Sequence, residues 1–344
     1  MSIRYQVLGA PGRDNALYVR IESGQRVTRL LFDCGENCLS ELPRSEVQAI
    51  EHLCFSHLHI DHIAGFDGLL RSTFNRPAPP MQVWGPPDTL RILHHRLRGV
   101  LWDRVADQPG VWQIHDILPD RIIGARFITG EAFAIAHPLP TRPFSGRLIA
   151  TPDFTVDALH LEHGTPSLGY IIREAPRRTI DAAALARLGL PPGPWLRELK
   201  ADPDASMPIT IAGRHFDRAA LREALLTTSP GDSLAYLTDF MLDADWIARL
   251  AEQLRGCATL VCEAQYRQAD WMLAQRYHHA TAPQVAELAR RAGVERLILI
   301  HLSDRYTPAE WQALLQEARA IFPRTDFPAH WSSPGVAADA AGAP

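Results

Sequence analysis

Ser56-His57-Leu58-His59-Ile60-Asp61-His62 follows a short apolar run and decides how this chain is read. Four side chains able to ligate a metal, His57, His59, Asp61 and His62, fall within six residues. On an extended strand end or tight loop, His57 and His59 project the same way and can reach one cation. Asp61 and His62 open the following segment, point elsewhere and suit a second cation nearby. Two divalent ions roughly 3.5–4 Å apart can activate water and clamp both oxygens of an in-line displacement. The pattern therefore predicts hydrolytic chemistry. Chance or core packing explains it poorly, because an unpaired Asp and several His buried together without a metal would be costly.

The bulk numbers set wider bounds. At 344 residues and 46% hydrophobic, the chain can bury a large core, as one domain or one domain with an inserted module. A net charge of −4 and a pI near 6.4 exclude a global basic field, so any nucleic-acid binding must use a local patch. The basic residues are almost all arginine, Lys200 being the single lysine. Five cysteines, at 34, 38, 54, 257 and 262, lie in apolar contexts and read as small buried hydrophobes of a reducing compartment. Cys34 and Cys38 have a ligand-like spacing, but no second pair complements them, which argues against a zinc knuckle. The start, Met1-Ser2-Ile3-Arg4-Tyr5, is already strand-like, and no apolar run is long enough for a bilayer. The expectation is a cytoplasmic protein without leader or membrane span.

Along the chain, strands are expected at 3–8, 16–22, 27–32 and 52–55, the last delivering the cluster. A helix follows at 61–74, with Ile63, Phe66, Leu69 and Leu70 on one face. Next come a strand at 81–84, a helix at 89–101, and strands at 111–117, 125–136, 147–150, 156–163 and 168–173. Between 174 and 212, Gly189-Leu190-Pro191-Pro192-Gly193-Pro194-Trp195 and Ala201-Asp202-Pro203-Asp204 are too proline-dense for a core element. That segment reads as an insertion projecting from the body. Helices at 217–226, 243–254, 282–292 and 308–320 then alternate with strands at 233–238, 258–262 and 296–300, implying βαβ crossovers over a sheet face. Two β-then-α halves fit two sheets packed face to face with helices outside, an α/β architecture. The Ala-, Gly- and Pro-rich tail, 332–344, is expected to be disordered.

A two-cation site needs further ligands, and four segments at strand ends or loops offer them: 161–170, 236–239, 277–281 and 297–303. His301, directly after a continuous apolar strand, is a candidate ligand that taken alone also fits a capped core histidine. Asp239 fits a ligand at a strand end or a helix N-cap near Asp243. His160 competes with His163, whose fixed spacing to Ser167, Gly169 and Tyr170 favours it. His278 competes with His279. No metal role is expected for His94, His95, His115, His137 or His215. Arg177 and Arg178 read as a solvated face, with phosphate contact as the alternative.

Taken together, the ordered motifs resemble the ribonuclease Z branch of the metallo-β-lactamase superfamily, the endonucleases that process tRNA 3′ ends. They are Leu31-Phe32-Asp33-Cys34-Gly35-Glu36, the H-x-H-x-D-H cluster with Gly65 and Gly68-Leu69-Leu70, and H-x3-S-x-G-Y at 163–170. Leu188-Gly189-Leu190-Pro191-Pro192-Gly193-Pro194, Glu263-Ala264-Gln265-Tyr266, His279-Ala280-Thr281 and His301-x-Ser303-x-Arg305-Tyr306 complete the set. The resemblance implies an αββα metallo-β-lactamase sandwich over 1–331, with 174–212 as a protruding arm that grips tRNA. It implies two zinc ions per subunit, His57, His59 and His163 holding one, Asp61, His62 and His301 the other, and Asp239 bridging. Manganese or iron would also suit such donors. Asp61 would accept a proton from the attacking water, and His279, oriented by Glu263, would protonate the departing 3′ oxygen. A homodimer whose arms serve the opposite active sites is implied by the same analogy.

The chain departs from the family pattern in three places. Its first loop, Leu8-Gly9-Ala10-Pro11-Gly12-Arg13-Asp14-Asn15, lacks the lysine of P-x-K-x-R-N, leaving Arg13 and Asn15 as stand-ins. Thr238-Asp239-Phe240 replaces G-D-T. The arm mixes Arg177, Arg178, Arg187, Arg197 and Lys200 with Glu174, Asp181, Glu198, Asp202 and Asp204. The leading expectation is a zinc-dependent endoribonuclease that removes the 3′ trailer of precursor tRNA. A hydrolase of small phosphodiesters or other esters is the alternative, and a non-catalytic RNA- or protein-binding module with structural metals is a third reading.

Overall fold

Alternation along the early strands feeds two cores at once. In the strand Arg26–Phe32, Leu30 and Phe32 enter one hydrophobic cluster while Leu31 enters the other, as a period of two requires. Ala16–Ser23 behaves likewise: Leu17, Val19 and Ile21 go to the first cluster, Ala16 and Tyr18 to the second. The first cluster fills the space between two sheets, where Phe32 packs on Tyr170 and Tyr236 with ring centroids 5.2 and 5.9 Å apart. The second lies under the helices Phe66–Thr73 and Thr89–Leu97, on the outer face of the first sheet.

The computed structural model describes residues 2–23, 26–201 and 207–332. Among these, nine strands form the first sheet, from Ser2–Leu8 to His137–Pro138, with Arg142–Pro143 also pairing Arg121–Ile128. Seven form the second, running Arg147–Ala150, Phe154–Glu162, Pro166–Glu174, Ser233–Leu237, Thr259–Glu263, Arg296–Ile300, Thr325–Asp326. The helices Ala244–Gln253, Ala282–Ala292 and Pro308–Arg319 contribute to the second sheet's core. Helix, sheet, sheet, helix is the expected layering.

Both sheets are parallel where it matters for the site. Arg26–Phe32, His52–Cys54, Met81–Gly85 and Val111–Ile117 run parallel in the first, and Ser233–Leu237, Thr259–Glu263 and Arg296–Ile300 in the second. Parallel open sheets present ligand-binding residues at the carboxyl ends of their strands. Those ends are where His57, Asp239, Glu263 and His301 lie.

Some elements differ from the sequence reading. The helix expected at 61–74 is two, Ile60–Ile63 and Phe66–Thr73. Gly65 stands between them and donates its N–H to the Cys34 carbonyl at 2.8 Å; a Cβ there would lie 2.4 Å from the Gly35 oxygen. The strand expected at 125–136 is Arg121–Ile128, ending in a 3-10 turn at Thr129–Glu131.

Residues Glu174–Gly231 form a compact unit of their own. Ala184, Trp195, Leu199, Ile209, Ile211, Leu221 and Leu225 are its core. Two small antiparallel pairs frame it, Arg177–Ile180 with Leu226–Ser229 and Ile209–Ile211 with Arg214–Phe216. Asp181 and Asp217 cap its helices Ala182–Arg187 and Arg218–Leu225. The unit is therefore longer than the expected insertion at 174–212, because Leu221 and Leu225, one helical turn apart, face this core and not the body's. The proline-dense stretch also ends in a core residue, Trp195, whose indole N–H donates to the Pro191 carbonyl at 3.0 Å. The expected disorder at 332–344 falls, from 333 onward, outside the described residues.

Candidate metal centre

Four segments meet at the strand ends: the stretch 55–62, His163, Asp239 and His301. The loop 55–59 is anchored by Phe55 N–H to the Trp84 carbonyl and by Leu168 N–H to the Ser56 carbonyl, both 2.8 Å. Asp239 and His301 turn sharply out of their strands with φ of 49° and 52°. Left-handed backbone at non-glycine residues costs about 1–3 kcal/mol each and gathers at functional sites.

Candidate ligand atoms fall into three groups, two of which hold the expected ligands. His57, His59 and His163 form one; Asp61, His62, Asp239 and His301 form the other, with atoms within 4.8 Å of one another in each. Asp239, in the second group, also approaches the first. Its Oδ2 lies 3.7 Å from His57 Nε2 and 3.6 Å from His163 Nε2, and its Oδ1 lies 3.5 Å from His62 Nε2 and 3.2 Å from His301 Nδ1. Asp61 Oδ2 approaches His62 Nε2 at 3.3 Å and His301 Nε2 at 3.5 Å. His62 Nε2 and His301 Nδ1 are buried without a hydrogen-bond partner. Buried orphaned nitrogens facing shared carboxylates fit a pair of divalent cations, and imidazole with carboxylate donors suits zinc.

Charge in the cluster is organised accordingly. Burial and the neighbouring His62 push the His57 imidazole down to about 2, keeping it in the neutral, ligating form. Burial opposes charge on His62 and His301 too, but Asp239, with Asp33 and Asp61 respectively, outweighs it and raises both. Burial alone would raise the Asp61 carboxyl; His301 and His62 hold it well below the usual carboxylate range.

Outer partners orient the ligands. The buried Asp33 carboxylate accepts from Ser56 N–H and Oγ–H, both 2.7 Å, from the Tyr236 hydroxyl at 2.8 Å, and sits 2.9 Å from His62 Nδ1. That contact turns His62 Nε2 toward the cluster, as carboxylate–histidine pairs do at metal sites. The His278 carbonyl lies 2.9 Å from His163 Nδ1 and orients that ring in the same way. His301 N–H donates to Asn15 Oδ1 at 2.9 Å, so Asn15 of the first loop holds a ligand's backbone. The sequence reading assigned no such role to Asp33, the His278 carbonyl or Asn15. Asp33→Ala would orphan several buried donors, each worth about 1–3 kcal/mol. It is expected to lower the melting temperature by several degrees and weaken metal binding about 10–100-fold. Calorimetry and chelator competition check both.

The third group joins Asp239, Glu263, His279 and His301. Glu263, fully buried, lies 2.9 Å from His279 Nδ1 and accepts the Phe240 N–H at 2.8 Å. Burial lowers the His279 pKa, but the Glu263 charge and hydrogen bond outweigh it, and the net shift is upward. Nε2 remains as the ring's second donor. His278 instead takes the left-handed position after the helix Trp271–Tyr277, with φ of 57°. His160 packs edge-on to Phe144 and joins none of the three groups among the described residues. His94, His115, His137 and His215 have ordinary partners in Phe133 and Val83 carbonyls, Glu131 and Thr210.

Two packed sheets with helices outside and a His/Asp cluster at the strand ends define a hydrolase of the metallo-β-lactamase superfamily. The beta-lactamase superfamily domain matches residues 28–186 and 196–302. Ribonuclease Z of Deinococcus radiodurans is 50% identical over 325 residues, 94% of this chain and 97% of that one. Ribonuclease Z of Crocosphaera subtropica is 32% identical over 92% and 91%. The short form of human tRNase Z superimposes with a TM-score of 0.53 at 18% identity, over 89% of this chain and 94% of that one, a likeness of fold. The chain belongs to the ribonuclease Z family.

Proposed function

We propose that this chain removes the 3′ trailer of precursor tRNA by hydrolysis at a two-cation centre, with zinc as the cation. The carrying observation is the Asp239 carboxylate, whose two oxygens divide between His57 and His163 on one side and His62 and His301 on the other. His57, His59 and His163 would hold one cation, Asp61, His62 and His301 the other, and Asp239 both. Manganese or iron is compatible with the same donors. When bound, such a pair polarises the phosphodiester and lowers the pKa of water. Asp61, at the open side of the cluster, takes the proton of the attacking water. The phosphorus–oxygen bond to the upstream 3′ oxygen breaks, and His279 Nε2 delivers a proton to it, leaving a 3′ hydroxyl on the tRNA and a 5′ phosphate on the trailer. Glu263 holds His279 in the orientation and protonation this needs.

The unit Glu174–Gly231 is the tRNA grip in this reading, and the protein acts in the cytoplasm as a homodimer in which each arm serves the other site. No helix among the described residues is long and apolar enough to cross a membrane. Two arm cations are spent internally: Arg177 on Glu174 at 2.8 Å and Arg218 on Glu198 at 2.6 Å. That favours, as a second reading, a hydrolase of small phosphodiesters. Both are tested by incubating the protein with a trailer-bearing tRNA precursor and mapping the cut, beside a variant lacking 174–231. Arg173 and Ser233 pair across adjacent strands, so a short glycine link closes the gap. Cleavage after the discriminator nucleotide is expected, and the deletion should lower precursor processing about 100-fold more than hydrolysis of bis(p-nitrophenyl) phosphate. Equal losses on both substrates would return the arm to a structural role and favour the small-substrate reading.

A further inference from the structure

The cleft that opens over the cluster, about 390 Å³, is lined by ligands and by residues with no place in the mechanism above, among them Tyr266, Tyr277 and Arg305. Arg305 is the one Arg or Lys among its described lining residues, facing a wall that carries Asp61 and Asp239. Its position is built. The guanidinium carbon sits 5.2 Å from the centroid of the Tyr266 ring, and Nε donates to Ser303 Oγ at 3.2 Å. Backbone bonds lock the platform beneath: Ser303 N–H to the Gln265 carbonyl, and Tyr266 N–H to the Ala280 carbonyl, both 3.3 Å. The Tyr306 hydroxyl accepts from Arg267 N–H at 3.1 Å and donates to Asp270. The nearby Arg267 is committed to Glu317 at 3.0 Å. Arg305 is exposed, lines the cleft, and has no carboxylate partner and no hydrogen bond from its terminal nitrogens among the described residues. A stacked, half-tethered guanidinium loses little freedom when it binds a phosphate.

Tyr277 supplies the complementary feature. It ends the helix Trp271–Tyr277, is 48% exposed, and carries Arg276 5.5 Å from its ring. One residue on, the His278 carbonyl orients the His163 ring. The backbone beside Tyr277 is thus tied to the cluster, and unpaired RNA ends are recognised by stacking on exposed aromatic faces.

We propose that Arg305 grips the phosphate next to the scissile one and that Tyr277 is the face on which the adjoining base stacks. The inference rests on a tRNA precursor being the substrate. Both are positioning residues. Steady-state kinetics on the precursor at several salt concentrations, with metal content and bis(p-nitrophenyl) phosphate hydrolysis in parallel, tests them. Arg305→Ala is expected to raise KM about 10–100-fold and to reduce the slope of log KM against log salt by about one, the mark of one lost phosphate contact. Arg305→Lys should recover the salt slope but only part of the KM. Tyr277→Ala should raise KM about 5–100-fold, and Tyr277→Phe should restore it. In the two alanine variants the loss on RNA should exceed the loss on the small diester about fivefold or more, since that substrate has no neighbouring phosphate or base. An unchanged salt slope, equal losses on both substrates, or metal lost from Arg305→Ala would overturn the assignment. If the unmodified protein hydrolyses the small diester yet leaves the precursor intact, the substrate reading fails and takes this inference with it.

Discussion

Asp239→Ala is expected to leave a folded protein that binds less than one metal ion per chain and hydrolyses both RNA and small diesters about 10⁴-fold more slowly, the scale on which metal activation of water operates. Asp239 is the side chain whose two oxygens face both ligand groups, so its loss affects both cations at once. Four imidazoles would then lose their shared anion. The left-handed backbone at this position also tolerates Asp or Asn better than Ala. Asp239→Asn separates the two effects, keeping shape and backbone preference while replacing one oxygen by an amide nitrogen that cannot ligate. Elemental analysis and single-turnover rates read both variants. Full metal content with full activity in Asp239→Asn would remove the bridging role.

His279→Ala is expected to keep both metals and lose about 10²–10⁴ in kcat on RNA, the usual worth of a positioned general acid. The loss should be far smaller on bis(p-nitrophenyl) phosphate, whose leaving group departs without a proton. The pH dependence follows from the Glu263 contact. Burial pulls the His279 pKa down, and Glu263 more than reverses this. The acid form is therefore present below that raised pKa and lost as pH rises through it. Glu263→Gln removes the raising charge, so the alkaline limb of kcat should move to lower pH while the acid limb stays in place. An alkaline limb that does not move in Glu263→Gln would separate this pair from the acid step.

Much of this was legible because the chemistry sits in short local patterns. The H-x-H-x-D-H spacing places His57 and His59 apart from Asp61 and His62 by strand and loop geometry alone, and the structure puts them in two groups. His301 and Asp239 announce themselves by ending apolar parallel strands. What was not legible acts through distance or backbone. Asp33 meets Tyr236 across 203 residues, and Asn15 meets His301 across 286; no local period encodes such pairs. The His278 carbonyl works through an atom every residue carries. The helix break at Gly65 depends on close approach to the Gly35 backbone, a tertiary constraint. The reach of the arm to Gly231 was hidden because an amphipathic helix does not say which core its apolar face joins.

The most direct test is anomalous diffraction at the zinc edge from crystals of the protein as purified. Two peaks about 3.5–4 Å apart are predicted, one within bonding distance of His57, His59 and His163, the other of Asp61, His62 and His301, with Asp239 touching both. A single peak, or two peaks that Asp239 does not join, would contradict the two-cation centre.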